Sequence, residues 1–138
     1  MNQHLNLILR YPHVEYKTPE GSMFIESFYL QPEPEVSFES YGNWYTFKPN
    51  EVKPILKPLN SLTEEQKEQL CRLVTQNSAL AATFIEGNFV IYKIDGGDYY
   101  FEYEPSKYPT CVARQLEVWG ICYEPELVEQ GLAIIEQP

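Results

Sequence analysis

Aromatic and β-branched side chains recur at two-residue spacing in three short runs near the start of the chain: "MFIESFYL" (23–30), "VSF" (36–38) and "WYTF" (44–47). Turn-forming residues bracket them in "TPEGS" (18–22), "QPEPE" (31–35) and "SYGN" (40–43). A period of two suits a pleated surface buried on one side and does not fit the 3.6-residue stripe of a helix. The spacing therefore predicts an antiparallel meander, preceded by one short turn of helix around residues 5–9.

The pattern changes after residue 48. Prolines at 49, 54 and 58 each remove a backbone donor and push the preceding residue towards extended geometry, so "KPNEVKPILKPL" reads as a connector that leads away from the sheet. "NSLTEEQKEQLCRLVTQN" then carries the signature of a helix start. Thr63 can cap, Gln66 stands three residues on, acidic residues fill the first turn, and Leu70, Leu73, Val74 and Asn77 follow a helical face. The predicted helix spans 63–77.

From residue 82 to 104 the strand pattern returns, with turns expected at Gly87-Asn88 and at "DGGD". "NFVIYKI" and "YYFEYE" should pair as a hairpin across Gly96-Gly97, because a glycine pair tolerates the positive φ angles of tight hairpins. Beyond Pro109, "TCVARQLEVW" and "PELVEQGLAII" read as two short helices stopped or bent at Gly120 and Gly131, the second turning extended at its end. The expected fold is α+β: a mainly antiparallel, aromatic-rich sheet packed against the 63–77 helix, with short C-terminal helices, in a single domain over 1–138. Trp44 and Trp119 are expected in the core or lining a groove.

Twenty acidic and ten basic residues give a formal charge of −10. Phosphate binding requires a basic surface, so neither direct nucleic-acid binding nor an anionic membrane fits this chain, and a basic or neutral partner does. Lys48, Lys53 and Lys57 along the proline segment read as a solvated edge. Three cysteines, Cys71, Cys111 and Cys122, are an odd number at spacings that match no metal pattern, which points to reduced thiols. Cys111 stands at a helix start, where a lowered pKa is one reading and an inert thiol the favoured one. The first residues show no basic leader or cleavage site, and no run approaches the ~20 apolar residues of a spanning helix. A soluble, cytoplasmic protein is expected.

Chemistry is hard to place on this sequence. His4 and His13 have no metal-ligating neighbours at helical or hairpin spacing, no nucleophile elbow or phosphate loop occurs, and no cofactor is implied. "DGGDYYFEYE" (95–104) is the most distinctive polar stretch. It lacks the alternating oxygen ligands of a calcium loop, and its glycines fit a turn. In the strand that follows, Tyr99, Phe101 and Tyr103 share one face, while Tyr100, Glu102 and Glu104 share the other. Asp95, Asp98, Tyr100, Glu102 and Glu104 are therefore the candidate partner-binding residues. Carboxylates in register with flat rings can imitate a nucleic-acid strand and occupy a basic groove, whereas the plainer alternative is an ordinary solvated face.

Two segments, "VKPILKPLNSLTEEQKEQL" and "ARQLEVWGICYEPELVEQGLAI", resemble a group of small hypothetical proteins encoded by phages and prophages of Bacteroidetes. In that group a "KPILRPLSDL" type segment precedes a polar helix and a "FGLIxxGLAI" type segment closes the chain. The similarity covers 52–70 and 113–135, with "CYEPE" (122–126) standing as an insertion. The resemblance implies a mobile-element origin and a bacterial host cell, and assigns no activity to any residue. The expected function is a non-enzymatic acidic interaction protein, an inhibitor or nucleic-acid mimic that binds a basic groove on a nucleic-acid-handling host or defence protein. The alternatives are a small metal-dependent hydrolase or ligand-binding protein using Asp95, Asp98 or the C-terminal carboxylates with a metal, and a structural homo-oligomer joined through an unpaired strand edge.

Overall fold

The structure, a computed structural model, describes residues 3–76, 80–85, 87–93, 100–103 and 110–136. In chain order its elements are α1 (Gln3–Arg10), β1 (Glu15–Thr18), β2 (Gly21–Tyr29), β3 (Glu35–Ser40), β4 (Asn43–Phe47), β5 (Lys53–Pro58), α2 (Glu64–Val74), β6 (Leu80–Ile85), β7 (Asn88–Lys93), β8 (Tyr100–Tyr103), α3 (Thr110–Val118), β9 (Ile121–Cys122), α4 (Glu126–Glu129) and β10 (Ile134–Ile135). Single 3-10 turns fall at Pro49–Glu51 and Leu59–Ser61. The fold is α+β with mainly antiparallel sheets, and the chain divides into two compact units, 1–57 with 125–138, and 58–124.

In the first unit β1 to β4 form the expected meander, each strand antiparallel to the next. The turn chemistry explains the register. At the β1–β2 reversal the Thr18 hydroxyl donates to the Gly21 carbonyl at 2.6 Å and accepts from the Glu20 amide at 3.1 Å. At the β3–β4 reversal Tyr41 (φ +52°) and Gly42 (φ +84°) both take positive φ, the type I′ geometry whose twist matches that of the flanking strands. A bulge at Glu26 shifts the β2–β3 register between Ile25 and Ser27. Facing residues are thereby exchanged: Met23, Ile25 and Phe28 fall on one side of the sheet, and Phe24, Ser27 and Tyr29 on the other.

The inward side holds the core of this unit. Tyr16, Met23, Val36 and Phe38 pack with Ile8 of α1 and with Val52, and Val14, Ile25, Phe28, Tyr45 and Phe47 border the cluster. Each fully buried side chain of this size contributes roughly 1.5–3 kcal/mol. Tyr16 is 0% exposed, and its hydroxyl donates to the Tyr11 carbonyl at 2.7 Å, which ties β1 to the end of α1.

The proline segment does not lead away from the sheet, as its sequence suggests. Residues 53–58 are β5, antiparallel to β1 (Tyr16 opposite Pro54, Lys17 opposite Lys53) and parallel to β10 (Ile134 opposite Ile55, Ile135 opposite Leu56). The reason lies in alternation. Glu136 N donates to the Leu56 carbonyl at 2.7 Å, so the backbone groups of Leu56 face β10, and those of Pro54 and Pro58 lie on the same edge. Pro54 and Pro58 therefore remove donors only on the edge that faces β10. The β1 side of β5 loses nothing.

In the second unit α2 begins where expected. Thr63 N donates to Gln66 Oε1 at 2.9 Å and Gln66 N donates to Thr63 Oγ1 at 3.1 Å, a reciprocal capping box. β6, β7 and β8 form an antiparallel sheet in that order, and α2 packs against β6. Leu62, Leu70, Cys71, Phe84, Phe89, Ile91, Val112, Leu116 and Ile121 make its core, with Phe84 and Phe89 edge to face at 4.8 Å. The β6–β7 reversal falls one residue before the expected Gly87-Asn88, since Asn88 already pairs with Ile85 and Gly87 takes the positive φ. Both C-terminal helices form, and the residues after α4 turn extended as β10.

Candidate interaction surface

The β7–β8 register sets Phe89 opposite Tyr103, Val90 opposite Glu102, Ile91 opposite Phe101 and Tyr92 opposite Tyr100. Phe89 and Ile91 are buried in the core of the second unit, whereas Tyr92 is exposed. Tyr100 and Glu102, two of the candidate contacts, are thus placed by register alone, on β8 opposite Tyr92 and Val90. Asp95, Asp98 and Glu104, the other candidate contacts, lie outside the described residues.

A second surface, which the sequence alone did not single out, is built on the outward side of the meander. The register sets Glu15, Phe24, Glu39 and Trp44 in one cross-strand row, Ser27, Ser37 and Thr46 in the next, and Tyr29 with Glu35 beyond. Phe24 is 60% exposed, Tyr29 52% and Trp44 63%. Trp44 is thus neither in the core nor in a groove, contrary to expectation. Both parities of "WYTF" carry an aromatic residue, and the pairing with β3 turns Tyr45 and Phe47 inward and Trp44 outward.

Glu15, Glu26, Glu35 and Glu39 are exposed on this side, and the basic residues there, Lys17, Lys53 and Lys57, collect on β1 and β5. The face is therefore divided, basic towards β5 and acidic and aromatic towards β4. Hydroxyls lie between the rings, Ser37 Oγ and Thr46 Oγ1 being 3.3 Å apart.

The β3–β4 hairpin carries the most unusual residue of the surface. Tyr41 is 100% exposed and sits in the left-handed region, which costs an L-residue with a bulky side chain about 1–2 kcal/mol. Its ring recovers none of that cost by burial. Beside it the Glu39 carboxylate accepts a hydrogen bond from the Gly42 amide at 2.7 Å, which fixes a negative charge at the hairpin tip, on the strand next to Trp44.

The remaining chemically capable groups are dispersed. None of Cys71, Cys111 and Cys122 is in a disulfide. Burial, with the Glu68 carboxylate adding to it, pushes the Cys71 thiol up to about 11. Cys71 and Cys122 are buried, whereas Cys111 is exposed in the first turn of α3. Among the described residues no three His, Cys, Asp or Glu side chains converge on a metal position. No described helix is long and apolar enough to cross a membrane. Comparison with protein-family models, with curated proteins and with solved structures found no match.

Proposed function

We propose that this chain is a non-enzymatic acidic interaction protein that inhibits its partner by occupying a basic groove. The phage and prophage resemblance suggests a bacterial setting, with a nucleic-acid-handling host or defence protein as the target. The observation that carries the proposal is the β3–β4 hairpin. It presents a fully exposed Tyr41 in a costly backbone conformation, an exposed Trp44 and a fixed Glu39 carboxylate on a chain of net charge −10. Aromatic side chains and buried-on-binding charges dominate interfaces, and strained residues that gain nothing within the fold belong where an outside contact can repay them. The acidic ribbon around Asp95, Asp98, Tyr100, Glu102 and Glu104 is a second contributor to the same electropositive partner.

Affinity capture from bacterial lysate across an ionic-strength series tests this, with three baits: the natural chain, Trp44→Ala with Tyr41→Ala, and a chain with the ribbon carboxylates neutralised. The expected result is a partner with a basic surface, held at low salt, released at high salt and lost from at least one altered bait. A partner retained equally by all three baits at every salt concentration refutes the proposal.

A further inference from the structure

The outer edge of β4 has no described strand beside it, since β4 ends the strand order of its sheet. With Ser40 and Asn43 closing the two-residue turn, alternation directs the backbone groups of Asn43, Tyr45 and Phe47 towards β3. Those of Trp44 and Thr46 point outward. The segment "NWYTF" contains no lysine, proline or bulge, the devices by which sheets protect an open edge. Trp44 and Thr46 also present their side chains on the acidic, aromatic part of the outer face.

We propose that β4 is a strand-addition site for an extended segment of the partner bearing arginine or lysine at alternate positions. This rests on the preceding proposal that the partner is basic. An added strand pairs with the outward amides and carbonyls of Trp44 and Thr46, and its residue opposite Trp44 lies on the outer face against the indole. A guanidinium there stacks on the ring, with the Glu39 carboxylate on the indole's other flank. Charge decides against a second copy as the occupant: each chain carries −10, and the β3–β4 hairpin of a second copy would bring another Glu39 and no cation within its own strand.

The probe is a short synthetic peptide alternating threonine and arginine, with a threonine–glutamate peptide as its control, followed by amide hydrogen exchange and NMR shifts of the full chain. The arginine peptide is expected to slow exchange at Trp44 and Thr46 about tenfold at saturation, and to lose affinity about fivefold on Trp44→Ala, the scale of one exposed cation–π contact. Thr46→Pro removes an outward N–H and leaves the β3 ladder intact, so it should abolish the protection without unfolding the sheet. Equal binding of the two peptides, protection confined to other strands, or peptide binding unchanged by Thr46→Pro overturns the proposal. So does a dimer by light scattering whose Trp44 and Thr46 amides are protected without peptide. If a captured basic partner shows salt-dependent binding that Thr46→Pro leaves intact, strand addition fails and the basic-groove proposal stands; absence of any salt-dependent partner removes both.

Discussion

Replacing Tyr41 by asparagine should make the protein more stable and a poorer binder. Tyr41 holds φ +52° at the first central position of a type I′ turn, where asparagine is favoured and a bulky L-residue pays about 1–2 kcal/mol. Its side chain is fully exposed, so truncation forfeits little packing, and ordinary surface substitutions stay within about 0.5 kcal/mol. The net expectation is a gain of about 0.5–1 kcal/mol, equivalent to a midpoint rise of roughly 2–5 °C for a chain of this length. Urea denaturation followed by far-UV circular dichroism measures the stability, and titration with the captured partner measures the binding. A loss of stability greater than about 0.5 kcal/mol would show that the ring packs within the fold. Increased stability with unchanged partner affinity would show that the strained tyrosine serves no contact, and the reasoning from the hairpin would be refuted.

Tyr16→Phe keeps the buried ring and deletes the hydroxyl that donates to Tyr11, so a loss of about 0.5–1.5 kcal/mol is expected in the same denaturation assay. Burial raises the Tyr16 phenol well above its usual range, whereas an unfolded tyrosine ionises near pH 10. The folded state therefore holds its proton more tightly, stability is insensitive to this group below about pH 10 and falls as pH rises further, and Tyr16→Phe should flatten that alkaline fall. Thr63→Ala removes the acceptor for Gln66 N and should cost about 1 kcal/mol, read as faster amide exchange in the first turn of α2. With a maleimide at neutral pH, Cys111 should label first, while buried Cys71 and Cys122 label only on unfolding; labelling of all three at one rate would contradict their burial.

Local signals with a short-range mechanism were the legible part of this fold. The capping residues Thr63 and Gln66 announced α2, and the turn residues with two-residue alternation announced the meander and its hairpins. The proline segment was misleading because a proline count says nothing of which edge each missing donor faces. Pro54 and Pro58 share one edge, the donors that face β1 are kept, and β5 forms regardless. The outward aromatic surface was hidden for a related reason. Phe24 and Tyr29 differ in parity and look like opposite faces, until the bulge at Glu26 brings them to the same side. Trp44 could not be oriented because its own run has aromatic residues on both parities, and only pairing with β3 resolves them.

The salt dependence of binding to the captured partner tests the central claim most directly. Affinity measured by titration calorimetry from about 50 to 500 mM salt should fall steeply and continuously, since the exposed carboxylates and the partner's cations are screened within a Debye length that shrinks from roughly 14 Å to 4 Å over that range. The slope should lessen when Glu35 and Glu39 are changed to glutamine. An affinity that holds constant or strengthens with salt would mean that apolar burial drives the complex, and the acidic display proposed for this chain would be wrong.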